Sequence, residues 1–566
     1  MRIKILPVIL LLPFFAFSQT AAERSKIASF SNKESNNQLA RELRTEDQQR
    51  EIRLSKFLKN NPVFSKTSPK DGVGTIELID VLPSGEKIYA KTYNAGAAIT
   101  ARATSLYKDG SLGVNIQGQN MLVGVWDAGS ARYSHQEFVI DGISKVWLMD
   151  GSLSDVHATH VAGTIAAQGI QSAARGIAFN SSINSYNWTG DLAEMLTEAS
   201  AGLLMSNHSY GIGALSSIWF YGAYDSRARQ MDQICFNNPY YLPVVAAGND
   251  RNDTKDPGLT QNANKAGYDL VQGHANAKNV LTVAAVTQVT KYNDPSSVVM
   301  SSFSSWGPSD DGRIKPEISM KGVNVRSTTD VSDTSYGSMS GTSMASPGVT
   351  GVVTLLQQYY NQLYSNYMRA ASMKGLILHT ADEAGLFSGP DYEFGWGLIN
   401  AENSAKLLRD KNLSASRSIL EENVLANSTT YSKTISASGG APLKISISWT
   451  DPNFPSSNSG TVDPATKYLV NDLDIKVMSS TGTTYYPWKL QGMADPAAIA
   501  TRNSTNDVDN FERIDIENPS GTYTITVSHK GTLTGGNQNY TLIASSDNLN
   551  VLAVDSYAKL GDDLSL

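Results

Sequence analysis

The feature that most constrains the fold is an alternation of two patterns between Thr100 and Leu413. Short runs of apolar and β-branched residues alternate there with segments of helical periodicity. Examples are MLVGVWD, HATHVAGTIAA, LAEMLTEASAGL, YYLPVVAAGND and NVLTVAAV. Strands that alternate with helices are typical of an α/β domain with a mostly parallel sheet. Ligands of such sheets gather at the carboxyl ends of the strands, where several polar residues of this region stand.

The pattern changes after Ala415. From there to Asn548 the sequence reads as strands alone, separated by Gly, Asn, Ser or Pro, as in LKISISWT, DLDIKVMSS and GTYTITVSH. This indicates a β-sandwich over residues 415–548. Residues 549–566 carry no comparable pattern and are expected to be a linker or a disordered tail. With 566 residues, the chain is long enough for several domains.

The N-terminus has the features of a secretory signal peptide. Arg2 and Lys4 precede the apolar run from Ile5 to Phe17, and cleavage is expected after Ser18. Residues 19–99 then form a small α+β unit, with a helix over residues 31–60 and a hairpin in GTIELIDVLPSGEKIYAKT. No apolar run is long enough for a stable membrane span, so we expect a secreted extracellular protein.

Charge and cysteine content narrow the function further. The net charge of -7 argues against nucleic acid as a partner. The single cysteine, Cys235, excludes an internal disulfide, and its neighbours Met231 and Ile234 suggest a buried apolar role over a catalytic thiol. A secreted protein without disulfides often depends on bound cations, which makes calcium a candidate cofactor.

The stretch SGTSMASP, residues 340–347, precedes a long apolar run and crowds small hydroxyl residues onto the start of a helix. Helix capping alone would explain these residues. A hydroxyl nucleophile at Ser343 is the other interpretation, and it requires a base, a group that orients the base and oxyanion donors. His157, Asp127 and Asn249 supply those residue types, the last two at the ends of apolar strands. His157 and His160 could also suggest zinc, but no HExxH pattern and no third ligand accompany them.

Six motifs decide between these interpretations. VGVWDAG, HATHVAGTIAA, SNHSYG, VVAAGND, SSFSSWGPSDDGRIKPEI and GTSMASPGVTG occur in the order and spacing of the subtilisin-like serine proteases, so residues 100–414 resemble the subtilase family. The resemblance implies a serine endopeptidase of the α/β subtilisin fold that acts on proteins or peptides. Ser343 would be the nucleophile, His157 the base, Asp127 its orienting carboxylate and Asn249 an oxyanion donor.

The same resemblance implies a substrate-binding edge strand in SNHSYG. Ser209, Tyr210 and Gly211 would pair with an extended substrate and line the first specificity pocket, and Gly248 would form another pocket wall. The sequence departs from the family where Ala158 replaces the usual glycine and where EISMKG replaces the commoner DIxAPG.

Residues 415–548 resemble the C-terminal jelly-roll of extracellular alkaline subtilases. Acidic side chains in its loops suit a calcium ion, and the candidate ligands are Asp472, Asp474, Asp509 and Glu512. Residues 19–99 occupy the place of a subtilase propeptide, which would be a partner of the catalytic domain. The final stretch resembles a linker before a secretion-sorting domain, which would place the protein at the cell surface if the natural chain continues. We expect a monomer.

Two other functions remain open from the sequence. The protein could be an adhesive or ligand-binding exoprotein with a vestigial protease domain, in which the β-sandwich acts. It could also be an esterase that uses the same triad, although an open cleft with an edge strand favours peptides.

Overall fold

The computed structural model describes residues 19–61, 67–69, 75–82, 85–92, 97–214, 217–252, 265–414, 417–552 and 556–559. The proposed signal peptide, residues 1–18, lies outside the described residues, as do residues 83–84 between the two strands of the expected hairpin. None of the helices within the described ranges combines the length and apolar character needed to cross a bilayer.

The N-terminal unit contains two helices and a three-stranded antiparallel arrangement. Its elements are α1 (Ala21–Ala28), α2 (Lys33–Asn60), β1 (Thr67–Pro69), β2 (Thr75–Val81) and β3 (Lys87–Thr92). β2 pairs with β3, which confirms the expected hairpin. Leu39 and Leu43 on α2 pack into an apolar cluster that includes Leu192 and Met231 of the middle domain. The N-terminal unit is therefore docked on the domain that follows it.

The middle domain is the expected α/β unit. Its strands are β4 (Leu122–Asp127), β5 (Val139–Ile140), β6 (Ile143–Ser144), β7 (Val146–Leu148), β8 (Ser182–Asn187), β9 (Met205–His208), β10 (Tyr210–Ala214), β11 (Leu242–Ala246), β12 (Leu281–Val286), β13 (Ile318–Lys321), β14 (Val325–Thr328) and β15 (Tyr336–Met339). Its helices are α3 (Val156–Ala166), α4 (Asp191–Ser200), α5 (Ser226–Asn237), α6 (Thr342–Tyr364), α7 (Ala370–Thr380) and α8 (Ala401–Leu413).

Seven of these strands form one parallel sheet in the order β13-β12-β11-β9-β4-β8-β7. Every residue of β4, β11 and β12 is buried, as expected for strands covered on both faces by helices. Because β4, β9 and β11 are parallel neighbours, their carboxyl ends open at one edge of the sheet. The motifs that follow these strands are thereby brought together at that edge.

The C-terminal region is all β and contains two antiparallel sheets. Its strands are β16 (Ile419–Ala426), β17 (Thr429–Ser438), β18 (Leu443–Ser448), β19 (Leu473–Ser479), β20 (Thr484–Tyr485), β21 (Phe511–Ile516), β22 (Ser520–His529), β23 (Asn537–Ser545), β24 (Asn548–Val551) and β25 (Ser556–Lys559). One sheet has the order β16-β23-β18-β21, and the other has the order β20-β19-β22-β17-β24 with β25 also paired to β17. The expectation of an unstructured tail from residue 549 does not hold for β24 and β25, because both find a partner edge on β17.

The α/β domain and the β region share a continuous core. Phe511 and Ile543 of the β region belong to the same buried cluster as Leu376 and Trp396 of the α/β domain. The rings of Trp396 and Phe511 meet edge to face, with centroids 4.9 Å apart. Cys235 is buried in α5, and burial raises the pKa of its thiol well above the usual value, in agreement with the apolar role expected for it.

Candidate active site

The centre of the site is a contact between a strand end and a helix start. Asp127 is the last residue of β4, and its Oδ1 lies 2.6 Å from Nδ1 of His157 on α3. Asp127 is fully buried and His157 is 3% exposed, so water competes little for this contact. A carboxylate that accepts from Nδ1–H fixes the tautomer in which Nε2 carries the lone pair. The geometry is that of an oriented general base.

Asp155 holds the start of the helix that carries His157. It is the N-cap of α3, and its Oδ1 accepts hydrogen bonds from the backbone nitrogens of His157 at 2.8 Å and Ala158 at 3.0 Å. Sequence reasoning did not identify this residue, although an Asp two positions before a helical His is a recognisable capping signal. Ala158 is itself buried without displacing the cap.

His160, one turn further along α3, serves the core and not the site. Its Nε2 lies 3.2 Å from the carbonyl oxygen of Val325, and burial lowers its pKa to about 3. This placement separates its role from that of His157.

Ser343 lies in the first turn of α6, as the apolar run after it predicts. Its Oγ donates to the main-chain carbonyl of Ser209 at 2.6 Å, and Ser209 Oγ donates to the carbonyl of Ser343 at 2.6 Å. These two bonds fasten the end of β9 to the start of α6. The backbone N–H of Ser343 belongs to the first turn of α6, where donors lack an acceptor within the helix, so it is available to an anion, whereas the N–H of Thr342 donates to Asn249 Oδ1.

Asn249 follows β11, and its side chain is oriented by the same helix start. Its Oδ1 accepts from both the backbone nitrogen and Oγ1 of Thr342, each at 2.9 Å. The amide NH₂ therefore faces the opposite way from Thr342. The Thr342 hydroxyl also accepts from the Gly248 nitrogen at 3.1 Å, so one residue positions two members of the predicted site. Thr342 lies within the SGTSMASP stretch but was not assigned this role from sequence.

Gly248 supports the backbone that carries Asn249. Its φ is +111°, and a Cβ at this position would lie 2.8 Å from Ser305 Oγ. Any other residue would be strained there, since both the conformation and the space favour glycine. In the structure, Gly248 thus provides the backbone conformation that leads into Asn249.

The predicted edge strand is paired with the N-terminal unit. β10 runs antiparallel to β3, with Tyr210 opposite Thr92 and Gly211 opposite Lys91. The space around the Cα of Gly211 is open, because a Cβ there would meet no atom within 4 Å. The main chain of β10 therefore already pairs with another strand, as it would with an extended substrate.

The side chain of Tyr210 points into the core and not toward this strand pairing. It is fully buried, its hydroxyl donates to Asp191 at 2.6 Å, and it lies 3.1 Å from Nδ1 of His208. Only the main chain of Tyr210 is therefore available to a substrate. The side chains of a strand alternate between its two faces, and the core covers the face of β10 on which the Tyr210 side chain lies. The motif alone did not reveal which face this is.

The four calcium ligands expected in the β region do not all lie together. Lys530 ion-pairs with Asp472 at 3.2 Å and with Asp474 at 2.8 Å, while Glu512 is buried and accepts from the Ile475 nitrogen. Asp509 accepts instead from the Ile314 nitrogen at 2.8 Å. Calcium at this quartet stays a prediction.

Comparisons with known proteins show to which family the chain belongs. The Subtilase family matches residues 120–397, a range that contains Asp127, His157, Asn249 and Ser343. A thermostable alkaline protease of Halalkalibacterium halodurans is 30% identical over 295 residues, which cover 50% of this chain and 68% of that protein. C5a peptidase of Streptococcus pyogenes is 31% identical over 139 residues, which cover 23% of this chain but only 11% of that protein.

Among solved structures, that of the prenylagaramide maturation protease PagA has a TM-score of 0.39 and 21% identity, and the match covers 51% of this chain and 92% of that one. The match to the alkaline protease extends over more than two thirds of that relative, and the family motifs occupy the expected strand and helix ends. The chain belongs to the subtilase family.

Proposed function

We propose that this protein is a secreted serine endopeptidase that hydrolyses peptide bonds through Ser343, His157 and Asp127. The observation that carries the proposal is the buried 2.6 Å contact between Asp127 Oδ1 and His157 Nδ1 at the edge of the sheet where the Ser343 helix begins. The β region would be a jelly-roll appended to the catalytic domain.

The first half of the reaction acylates the enzyme. Ser343 Oγ attacks the carbonyl carbon of the scissile bond while His157 Nε2 takes the hydroxyl proton, and Asp127 stabilises the resulting imidazolium. The negative oxygen of the tetrahedral intermediate accepts from Asn249 Nδ2 and from the Ser343 backbone N–H. Collapse of this intermediate breaks the C–N bond, and His157 gives its proton to the departing amine.

The second half releases the acyl group to water. A water molecule attacks the ester carbonyl as His157 takes one of its protons, and the same oxyanion donors act again. The C–O bond to Ser343 then breaks, and the proton on His157 returns to Ser343 Oγ. The free acid and the resting enzyme result.

The Ser343–Ser209 bond gives the substrate a role in preparing the nucleophile. Ser343 Oγ now donates to the Ser209 carbonyl, which lies at the start of the edge strand. A substrate strand that donates its own N–H to this carbonyl would release the hydroxyl to turn toward His157. Substrate binding and nucleophile activation would thereby be coupled.

Residues 19–99 would act as an inhibitory propeptide. The support is that β3 already occupies the β10 edge that an extended substrate would need. Docking of this unit is reinforced by the ion pair between Arg24 and Glu198 at 2.9 Å and by the hydrogen bond from Asn36 to Asn238. Removal of the unit would expose the edge to substrates.

An active-site-directed label tests the proposal. After the N-terminal unit has been removed by limited proteolysis, we expect a fluorophosphonate to modify Ser343 alone, as read by peptide mass spectrometry. Ser346 is the matched control, because it lies on the same helix and its Oγ is 3.0 Å from Ser209 Oγ. Labelling should persist in Ser346→Ala and vanish in Ser343→Ala. Equal labelling of both variants would refute the assignment of the nucleophile.

A further inference from the structure

Three aspartates meet where the α/β domain touches the β region. Asp269 and Asp310 come from loops of the α/β domain, and Asp463 comes from the long loop between β18 and β19. One carboxylate oxygen of each lies within 4.8 Å of the others. Asp269 is fully buried and Asp310 is 5% exposed. This group, the junction cluster, contains none of the residues of the catalytic site.

The junction cluster has more negative than positive charge. Lys265 Nζ donates to Asp269 Oδ2 at 2.6 Å and to both oxygens of Asp463, at 2.8 and 2.6 Å. A single ammonium thus serves two of the three carboxylates, and Asp311 nearby is engaged by Arg313. Buried carboxylates without compensating charge are costly.

Asp310 is the member whose charge is left without a partner. Among the described residues, its Oδ1 is buried and accepts no hydrogen bond. Its Oδ2 receives only a long bond of 3.4 Å from Asn458 Nδ2. Native structures rarely bury an unpaired carboxylate oxygen, so this atom calls for a ligand that the described part of the chain does not supply.

A glycine keeps open the space that this oxygen faces. Gly222 has a φ of +69°, and a Cβ built on it would lie 2.4 Å from Asp310 Oδ1 and also 2.4 Å from Asp269 Oδ1. Two carboxylate oxygens from different loops are therefore directed at one small space beside the Gly222 backbone. The Asp310 nitrogen donates to the Gly222 carbonyl at 2.9 Å, which fixes these loops together.

We propose that the junction cluster binds a calcium-type divalent cation through Asp269, Asp310 and Asp463. The donors are all oxygens, as hard cations require, and the flexible coordination of calcium can be completed by main-chain carbonyls and water. Two further positive charges would balance the excess of two carboxylates over Lys265. The cation would join the α/β domain to the β region, because Asp463 belongs to the latter.

The electrostatics of Asp310 agree with this assignment. Burial, together with the negative charges of Asp269, Asp463 and Asp311, raises its pKa to about 9. A divalent cation at the cluster would relieve this repulsion among neighbouring carboxylates.

Calcium titration of the full chain carrying Ser343→Ala tests the site without autolysis. We expect calorimetric binding of CaCl₂ to the chelator-treated protein and a rise of about 2 °C or more in Tm. MgCl₂ should do this less well, since magnesium demands a stricter geometry. Because no step of the test uses catalysis, it is independent of the proposed peptidase activity.

Asp310→Asn is the diagnostic variant, since it keeps the shape of the side chain and removes its charge. We expect Asp310→Asn to fold and to lose the calcium-induced rise in Tm. If it fails to fold, Asp463→Asn, at a partly exposed position, is the second variant and should also lose this rise. Asp141→Asn, at an exposed aspartate that belongs to neither acidic group, is the control and should keep the rise. A calcium response unchanged by both cluster variants, or no calcium binding by the parent protein, would overturn the proposal.

Discussion

Asp127 Oδ1 and His157 Nδ1 lie 2.6 Å apart, and both side chains are almost completely buried from water. Asp127→Asn keeps the size of the side chain but presents an amide that stabilises neither the required tautomer nor the imidazolium. We expect kcat to fall by about 10⁴ with the fold intact. Steady-state kinetics on a peptide substrate, together with a thermal melt, measure both quantities.

Asp155 provides the control for that prediction, because its carboxylate lies within 4.8 Å of the ligand-type atoms of Asp127 and His157. Asn is as good an N-cap as Asp, so Asp155→Asn should keep the start of α3 and lose far less activity than Asp127→Asn. Asp155→Ala should lower the free energy of unfolding by about 1 kcal/mol. If Asp155→Asn were as inactive as Asp127→Asn, a general charge effect would replace the orienting role of Asp127.

Thr342 is a positioning residue for the oxyanion donor. Thr342→Val removes the hydroxyl that bonds to Asn249 Oδ1 but keeps the backbone bond. We expect kcat to fall about fivefold, the value of one hydrogen bond, with KM little changed. Thr342→Ser should restore kcat. Asn249→Ala should lower kcat by a factor of about 10² to 10³. If Asn249→Ala lowered kcat less than Thr342→Val does, this would argue against an oxyanion role for Asn249.

The contact between the two large domains depends on a fully buried lysine. Lys278 Nζ lies 2.7 Å from Asp451 Oδ2 and donates to the carbonyls of Pro452 and Tyr468. Lys278→Met would leave Asp451 buried without its cation, and we expect a loss of about 3 to 5 kcal/mol in the free energy of unfolding. Chemical denaturation of the Ser343→Ala protein measures this loss.

The exposed Lys476 on β19 is the control for that substitution, and Lys476→Met should change stability by less than about 0.5 kcal/mol. A β region that acted independently as a binding module would tolerate Lys278→Met. The shared core would therefore be contradicted if the parent unfolded in two separate transitions and the Lys278→Met variant unfolded in the same two transitions with unchanged midpoints.

Lys145 makes stability depend on pH. It is buried, its Nζ donates to the Phe179 carbonyl, and burial lowers its pKa from 10.5 to about 7. Between these values the unfolded chain holds a proton that the folded chain lacks, so stability rises with pH across the window from 7 to 10.5. Lys145→Met should reduce that slope by up to about 1.4 kcal/mol per pH unit.

Denaturant unfolding of the Ser343→Ala protein at several pH values checks this slope. The exposed Lys108 supplies a control, and Lys108→Met should leave the slope unchanged. An identical slope in the parent and in Lys145→Met would mean that the Lys145 ammonium stays charged in the folded protein.

The sequence was sufficient to predict where the candidate site residues lie in the fold. Asp127 ends β4, Asn249 follows β11, and His157 and Ser343 lie in the first turns of α3 and α6, positions that a parallel sheet brings to one edge. The hairpin of residues 75–92 was likewise readable from its alternation.

Features that depend on distant partners could not be predicted from local patterns. Thr342 bonds to a residue 93 positions away, and Lys278 reaches Asp451 across the domain boundary. The inward orientation of Tyr210 depends on which face of β10 the core covers. Strands β24 and β25 exist because β17 offers them an edge, and their own sequence carries no strong strand pattern.

The most direct test of the central claim is cleavage of denatured casein by the protein and by its Ser343→Ala variant, after the N-terminal unit has been removed in trans. New peptide ends are identified by mass spectrometry. We expect cleavage by the parent alone, at sites that also reveal its side-chain preference. Cleavage by both proteins, or by neither, would contradict a peptidase that depends on Ser343.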